Sequence, residues 1–211
     1  MAQLIKKIRI NTTITLLTGL HIGGSSDNVE IGGIDNPVIK IGTRDNQPYI
    51  PGSSLKGKMR CLLEQMAGST KVGGNAEICR LFGSADASNP QPSRLIVRDS
   101  VLTKKSVSKL LAADLDMPYT ENKYENTISR VTGTAENKRQ TERIPAGAEF
   151  NVEFIINIWD NDDEAALLNM LNKGISAIEN DYLGGSGSRG YGQVKFGEMV
   201  ISELSESNGW K

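Results

Sequence analysis

The sequence contains a single histidine, His21, and this scarcity excludes two large groups of enzyme mechanisms. Ribonucleases that use one imidazole as acid and another as base need a second histidine. A serine or cysteine triad also cannot be assembled around His21, because no matching pattern accompanies it. On local sequence alone, a lone histidine is more often a hydrogen-bonded structural residue than a catalyst.

The chain also lacks an excess of charge and a metal-binding cysteine pattern. Lys and Arg number 24 against 25 Asp and Glu, so a nucleic acid would have to bind at a basic face opposed by an acidic one. Cys61 and Cys79 do not have metal-ligand spacing and are expected to be small buried hydrophobic residues.

No apolar run is long enough to cross a bilayer, and no charged leader with a cleavage site is recognisable. We therefore expect a cytoplasmic protein without membrane association. The length of 211 residues predicts one decorated domain, spanning 1–211, that buries a core of its own.

A glycine-rich stretch, DYLGGSGSRGYGQVKF at 181–196, is the most unusual part of the chain. It can be a helix end followed by a tight turn into a strand. It can also be a phosphate-binding loop, because successive backbone amides form anion-binding nests. The cation within it favours a phosphate or sugar contact, and the candidate residues are Gly184, Gly185, Ser186, Gly187, Ser188 and Arg189. From Arg189 onward the sequence nearly matches an RNA-recognition pattern, with Gln193 in place of a stacking aromatic residue.

A second candidate anion site is the start of a predicted helix from about Ser53 to Met66. Ser53 and Ser54 begin this helix, whose free amides can bind an anion. Lys56 and Arg60 are four residues apart and share one face. A solvated basic face and a phosphate site are both compatible with this spacing.

The segment 20–40, LHIGGSSDNVEIGGIDNPVIK, has two glycine pairs and is expected to be a functional loop. Asp35 lies just before Asn36 and Pro37, where aspartate commonly forms a turn. Local sequence alone therefore gives Asp35 no special role.

The remaining patterns define the predicted fold. Strands are expected at 4–17, 94–102, 150–159 and 194–204, with a second helix from Asp162 or Asp163 to Ile178. The order strand, helix, strand, strand, helix, strand predicts an α+β, ferredoxin-like domain with an antiparallel sheet. Two insertions interrupt it: a mobile one at about 67–93, with a helical turn near Ile78, and a protruding one at about 103–147 that contributes little core.

Several stretches resemble one known family. They are LHIGG at 20–24, IGGIDNPVIK at 31–40, IPGSSLKGKMR at 50–60, RLFG at 80–83, ENTISR at 125–130 and DYLGGSGSRGYG at 181–192. Together they resemble the repeated backbone subunit of the type III-A CRISPR interference complex, a member of the repeat-associated mysterious protein (RAMP) superfamily. The resemblance spans nearly the whole chain.

The resemblance implies a modified RNA-recognition fold that polymerises along a guide RNA, alongside other subunits, and cuts complementary target RNA at regular intervals. The catalytic aspartate of the family falls on Asp35, which would also be the candidate ligand for a divalent metal, Mg²⁺ or Mn²⁺. The guide-binding groove falls on His21, Ser53, Ser54, Lys56, Arg60 and the glycine-rich stretch. The family's thumb falls on 119–147, where Arg130 is a further candidate for RNA contact.

Two other classes of function remain open from the residues alone. The first is a structural subunit that coats RNA without cutting it, which a test for cleavage of guide-complementary RNA would distinguish. A stand-alone small-molecule enzyme is disfavoured because the chain offers no histidine-based catalytic set.

Overall fold

The first strand, β1 (Leu4–Leu16), alternates as its sequence predicts, since Ile8, Ile10 and Ile14 are buried while Asn11 is exposed. The protein is represented by a computed structural model that describes residues 2–24, 36–86 and 90–204. In chain order, the further elements are β2 (Lys40–Ile41), β3 (Gln47–Ile50), α1 (Gly52–Met66), α2 (Ala76–Phe82), β4 (Leu95–Val97), β5 (Ser100–Leu102), α3 (Lys104–Ala112), β6 (Glu121–Ile128), β7 (Ala135–Arg143), β8 (Glu149–Trp159), α4 (Glu164–Glu179), β9 (Val194–Phe196) and β10 (Val200–Leu204).

One antiparallel sheet dominates the described residues, with strand order β10-β1-β8-β5-β3-β2. β4 also pairs with β8, and β9 with β1. The last strand of the predicted pattern thus pairs with the first, the first with the third and the third with the second, as in a ferredoxin-like fold. The predicted α+β class is confirmed.

The core lies between this sheet and two helices, α1 and α4. Leu55 and Met59 of α1 and Leu171 of α4 are completely buried, and they meet the inward residues of β1 and β8 in one cluster. At Gly174 of α4 an added Cβ would collide with the side chain of Met59. This close approach of the two helices explains a glycine inside α4, where it otherwise costs about 1 kcal/mol.

Two of the predicted strands are interrupted. The segment 94–102 forms β4 and β5, and between them Asp99 Oδ1 accepts a hydrogen bond of 2.8 Å from the Gly52 amide. The segment 194–204 forms β9 and β10, and between them the Gly197 amide donates to the Thr13 carbonyl at 2.9 Å. Sequence periodicity does not reveal either of these hydrogen bonds between distant segments.

The insertion at 103–147 contributes more to the core than its sequence predicted. It begins with α3, a helix that the weak apolar periodicity did not indicate, capped by the Thr103 side chain, which accepts from the Ser106 amide. Leu110, Tyr119 and Ile144 are all less than 5% exposed and join the main cluster. Beyond them, β6 and β7 pair as an antiparallel hairpin, called the hairpin below, whose side chains are mostly exposed.

The insertion predicted at 67–93 contains α2, close to the expected helical turn. The Asn75 side chain caps it, and Ile78, Leu81 and Phe82 pack into the core. The domain boundaries and the mobility assigned to this insertion stay predictions. None of the helices in the described ranges is both long enough and apolar enough to cross a membrane.

Candidate nucleic-acid interface

The two ends of the segment that carries Asp35 are held together by backbone hydrogen bonds. Asp35 itself lies outside the described residues, as do 25–34. The Gly24 amide donates to the Pro37 carbonyl at 3.0 Å, and the Ile39 amide donates to the Ile22 carbonyl at 2.9 Å. We call these two bonds the loop neck. They hold the residues on the two sides of the segment 25–35 close together.

The loop neck rests on the end of the hairpin. Asn36, the neighbour of Asp35, accepts a hydrogen bond on its carbonyl from the Glu142 amide at 3.1 Å. On the other side, Leu20 and Ile144 exchange backbone hydrogen bonds of 2.9 and 2.8 Å. Both ends of the loop are therefore paired with the same stretch of chain, 141–144.

The Glu142 side chain stabilises this junction from within. It is 0% exposed. Its Oε2 accepts from the Val38 amide at 2.8 Å, and its Oε1 accepts from the Thr120 hydroxyl at 2.6 Å and lies 2.5 Å from Lys40 Nζ. A buried carboxylate requires such partners, because an unpaired charge in a protein interior is strongly disfavoured.

His21 joins the loop neck to the glycine-rich stretch. Its Nδ1 lies 2.7 Å from the Glu142 carbonyl; because a carbonyl can only accept, Nδ1 carries the proton and Nε2 is left for another partner. The His21 carbonyl accepts from the Gly185 amide at 2.8 Å. Gly184 has a φ of 76°, and an added Cβ there would collide with the His21 carbonyl oxygen. Both space and backbone geometry thus require glycine.

The glycine-rich stretch, called the glycine loop below (residues 181–192), folds back onto Gly19, just beyond the end of β1. The Gly192 amide donates to the Gly19 carbonyl at 2.9 Å, and Leu183 donates to the Gly192 carbonyl at 2.9 Å. Ser186, Gly187, Ser188 and Arg189 form the outer turn, where the Arg189 side chain is 54% exposed and donates to the Ser186 hydroxyl at 2.6 Å. Among the predicted anion sites, this turn presents its cation toward solvent.

The glycine loop also contacts the hairpin and α1 through residues that the sequence did not single out. Tyr191 is 1% exposed and donates from its hydroxyl to Glu125 Oε1 at 3.1 Å. Lys58 of α1 pairs with Asp181 at 2.7 Å and lies 3.6 Å from the centre of the Tyr182 ring. Tyr191 lies within the near match to the RNA-recognition pattern. Glu125, Glu142 and Lys58 carried no local signal.

The start of α1 places its cations differently. Lys56 Nζ donates to the Ser93 hydroxyl at 2.7 Å and to the Leu95 carbonyl at 2.8 Å. Burial, with a smaller contribution from the nearby Arg60 charge, lowers the Lys56 pKa below its usual value. Arg60 Nε pairs with Glu64 at 2.9 Å. These contacts give both cations a structural role, and their role in RNA binding stays a prediction.

Three other predicted residues complete the comparison with the sequence. Ser53 is exposed and Ser54 half-buried at the start of α1. Arg130 is exposed in the turn between β6 and β7, where its Nη1 donates to the Ile128 carbonyl at 2.5 Å. No described contact links these residues to His21 or to the glycine loop. Within 2–24, 36–86 and 90–204, no three His, Cys, Asp or Glu side chains are grouped so that they could hold a metal ion.

Similarity to known proteins agrees with this arrangement. Residues 13–195 match the family model described as the RAMP superfamily. The protein named CRISPR system Cms endoribonuclease Csm3 from Methanothermobacter thermautotrophicus is 41% identical over 216 residues, covering 94% of this chain and 86% of that protein. The protein of the same name from Enterococcus italicus is 42% identical over 211 residues, covering 96% and 97%.

Solved structures show the same relationship. A crystal structure of a Csm3–Csm4 subcomplex from the type III-A CRISPR-Cas interference complex has a chain 31% identical to this one, with a TM-score of 0.60 and coverage of 97% of this chain and 83% of that chain. A type III-B Cmr-beta structure matches at 16% identity, with a TM-score of 0.67, and covers 95% of this chain and 61% of that one. At this identity the second match supports the fold alone. The chain belongs to the RAMP superfamily and, within it, to the family of the Csm3 endoribonucleases.

Proposed function

We propose that this protein is a backbone subunit of a type III-A CRISPR interference complex, coats a guide RNA, and cleaves complementary target RNA at regular intervals. One observation carries the proposal. Hydrogen bonds of 2.7–3.1 Å connect Asn36 to Glu142, Glu142 to His21, and His21 to Gly185. One chain of hydrogen bonds thus holds the residue next to Asp35, the end of the hairpin and the glycine loop beside one another, and we propose that they present a common RNA-binding surface.

RNA is the ligand that suits this surface. Its backbone supplies anionic oxygens for Arg189 and for the amides of Gly187 and Ser188, while His21 Nε2 is free to contact a sugar hydroxyl. We propose contacts from His21 and from Gly184, Gly185, Ser186, Gly187, Ser188 and Arg189. Ser53 and Ser54, exposed or half-buried at the start of α1, and Arg130 on the hairpin are proposed as further contacts.

Lys56 and Arg60 are assigned a different part in the same proposal. Their cations are bound to protein atoms on the segments 93–95 and 64–79. We propose that they support RNA binding chiefly by holding α1 against these segments, and that any phosphate contact they make is secondary.

Asp35 is proposed as the catalytic residue. An ordinary aspartate has a pKa of about 3.9 and is a weak base toward a hydroxyl at neutral pH. We propose that Asp35 positions the attacking 2′-hydroxyl or helps to hold a divalent ion, Mg²⁺ or Mn²⁺, at the scissile phosphate. If Asp35 holds such an ion, oxygens of RNA and water would complete its ligand shell, as Mg²⁺ commonly accepts.

The proposed partners follow from this role. Coating a linear guide requires a contact that repeats by translation, so copies of the chain would associate head to tail in a helical filament. Its ends would be bounded by other subunits of the complex. The hairpin is proposed to meet the duplex of guide and target and to displace a nucleotide, because a regular A-form duplex holds the 2′-hydroxyl badly for in-line attack.

The decisive experiment uses assembled complex with labelled complementary RNA, comparing wild type with Asp35→Ala and Asp35→Asn. We expect both variants to bind target as tightly as wild type and to lose cleavage by at least about a hundredfold. Products from wild type are expected to carry a 2′,3′-cyclic phosphate and a 5′-hydroxyl, the ends that attack by a 2′-hydroxyl leaves. A parallel reaction with EDTA tests the divalent ion.

Each arm has its own contrary result. Wild-type cleavage by Asp35→Ala at saturating target would return Asp35 to the role of a turn residue and favour the RNA-coating alternative. Unchanged cleavage in EDTA would remove the metal from the proposal and leave the role of Asp35 standing.

A further inference from the structure

The cation of the glycine loop is occupied by a carboxylate of the hairpin. Glu125, on β6, has a side chain only 14% exposed. Its Oε2 lies 3.5 Å from Arg189 Nε, and its Oε1 lies 3.6 Å from Lys123 Nζ and accepts the Tyr191 hydroxyl hydrogen bond at 3.1 Å. A guanidinium, an ammonium and a hydroxyl thus converge on a single anion.

Such a donor set is not selective for a carboxylate. Arginine, lysine and hydroxyl groups bind phosphate oxygens through the same charge-assisted hydrogen bonds. The Tyr191 hydroxyl is held in place by its buried ring, which lies 4.4 Å from Lys123 Nζ and 5.2 Å from Arg143 Cζ. Burial, reinforced by the neighbouring Glu125, raises the Tyr191 pKa to about 12, so its hydroxyl remains a donor at neutral pH.

The contact between Arg189 and Glu125 is suited to exchange. Its N–O distance of 3.5 Å is longer than the 2.6 Å between Arg189 and Ser186, and the Arg189 side chain is 54% exposed. Water can solvate the exposed Arg189 guanidinium when it leaves this contact, and Glu125 keeps Lys123 and Tyr191 as partners. A phosphate that offers Arg189 a shorter contact can therefore replace Glu125 without unfolding the loop.

We propose that Glu125 occupies a phosphate site of the glycine loop when RNA is absent, and that a backbone phosphate of single-stranded RNA displaces it from Arg189. This inference rests on the proposed function, because it requires the glycine loop to bind RNA. It adds an internal competitor at that site. The Glu125 carboxylate weakens the binding of any single-stranded RNA at Arg189. An RNA strand therefore binds stably only if it also contacts the other residues of the groove.

Glu125→Gln tests the competition with little change in shape. Glutamine retains a carbonyl oxygen for the Tyr191 hydroxyl and removes the charge that faces Arg189. The probe is a labelled oligouridylate, titrated into the purified full-length protein over a series of salt concentrations. We expect the variant to bind severalfold more tightly at low salt, with a salt dependence of log K steeper by up to about 0.7, the contribution of one phosphate contact to a single strand.

Two further variants identify the cause. Glu136→Gln removes the same charge from an exposed position of the hairpin and is expected to leave oligouridylate affinity nearly unchanged. In an Arg189→Gln background, Glu125→Gln is expected to strengthen binding much less, because of the two cations that face Glu125 only Lys123 is then left to be released. Thermal unfolding of each variant checks that the fold is retained. If Glu125→Gln is destabilised, Glu125→Asp, which shortens the carboxylate by one methylene, is expected to tighten binding by a smaller factor.

The outcomes separate the inference from the proposed function. If wild type binds oligouridylate and Arg189→Gln weakens that binding, but Glu125→Gln does not strengthen it, the competition is refuted and the RNA site remains. If Glu136→Gln strengthens binding equally, the effect is one of net charge and the inference fails. If wild type binds no RNA at low salt and Arg189→Gln changes nothing, the proposed function fails as well.

Discussion

The glycine loop and the start of α1 combine small residues with a cation in similar ways, yet the structure uses the two cations differently. Arg189 of the glycine loop is 54% exposed, and its partners are a serine hydroxyl and a distant carboxylate. Lys56 of α1 is turned inward onto Ser93 and Leu95. Local sequence predicted an anion-binding site at both segments, but of the two only the turn of the glycine loop presents its cation to solvent.

The difference comes from what each segment packs against. A helix fixes the direction of every side chain, so the face of α1 that carries Lys56 lies over β4 and the segment before it. The glycine loop is held by backbone bonds to Gly19 and His21 and by the buried side chains of Leu183 and Tyr191, so its outer turn, with Arg189, can face solvent. Anion binding by a loop therefore depends on backbone anchoring elsewhere, and this dependence can be tested.

The largest expected effect comes from removing the Glu142 side chain, which supports the loop neck and, with it, the position of His21 beside the glycine loop. Glu142→Ala deprives the Val38 amide, the Thr120 hydroxyl and Lys40 of their shared acceptor. We expect the free energy of unfolding to fall by about 3 kcal/mol, because breaking a buried polar cluster leaves its partners unpaired. Urea unfolding measures this loss.

Glu136→Ala is the matched control, since Glu136 is an exposed residue on the same strand and its loss is expected to cost less than about 0.5 kcal/mol. Equal stability of Glu142→Ala and Glu136→Ala would mean that the loop neck is anchored by its backbone bonds alone.

The different roles of the two cations, Lys56 and Arg189, are tested by measuring stability and RNA binding after each is replaced with alanine. Lys56→Ala removes two internal hydrogen bonds and a half-buried side chain, so we expect a loss of about 1–2 kcal/mol of stability. Arg189→Ala is expected to change stability by less than about 0.5 kcal/mol and to weaken RNA binding. Paired urea unfolding and oligouridylate titration of both variants decide. A stable Lys56→Ala protein that binds RNA as weakly as Arg189→Ala would reverse the assignment.

The Lys56 environment adds a pH dependence to this test. Its folded-state pKa is lowered from 10.5, chiefly by burial, so the unfolded chain holds its proton more firmly than the folded protein. Stability must therefore rise as pH increases through the lowered pKa toward 10.5. We expect the difference in stability between wild type and Lys56→Ala to grow in that direction. A difference that shrinks as pH rises would contradict the burial of the ammonium.

Sequence patterns predicted the framework of the molecule well, whereas Cys61, which was expected to be buried like Cys79, is exposed. Alternation in β1 and one-sided apolar spacing in α1 and α4 report burial directly, because each residue's exposure follows from its position in a regular element. The glycine loop was also recognisable, since the close approach of Gly184 to the His21 carbonyl needs glycine.

What the sequence did not reveal are contacts between distant segments. Glu142 contacts Val38 at a separation of 104 residues. Glu125 contacts Tyr191 at a separation of 66 residues, and Lys58 contacts Asp181 at 123. The residues around them in the sequence do not indicate these contacts. α3 was missed because its nine residues are too few for a clear apolar period. Asp35 has no local signal beyond a turn, and its proposed role comes from the family resemblance.

The smallest expected effect concerns Tyr191, the residue that ties the glycine loop to the hairpin. Its folded-state pKa of about 12 lies above the usual 10.0, so the unfolded chain loses the phenolic proton first as pH rises. The stabilisation is fully present below pH 10.0 and is lost as pH rises toward 12. Tyr191→Phe removes a hydroxyl whose hydrogen bond contributes about 1 kcal/mol. We expect the difference in stability between this variant and wild type to shrink above pH 10.0.

At high pH the Lys56 ammonium and the Tyr191 hydroxyl change the stability in opposite directions, and the two variants separate their contributions. Ultraviolet difference absorbance of wild type against Tyr191→Phe provides the direct measurement: the phenolate signal that the variant lacks should appear near pH 12. If that signal appears at the usual value of 10.0, the Tyr191 hydroxyl is not held by Glu125 as described.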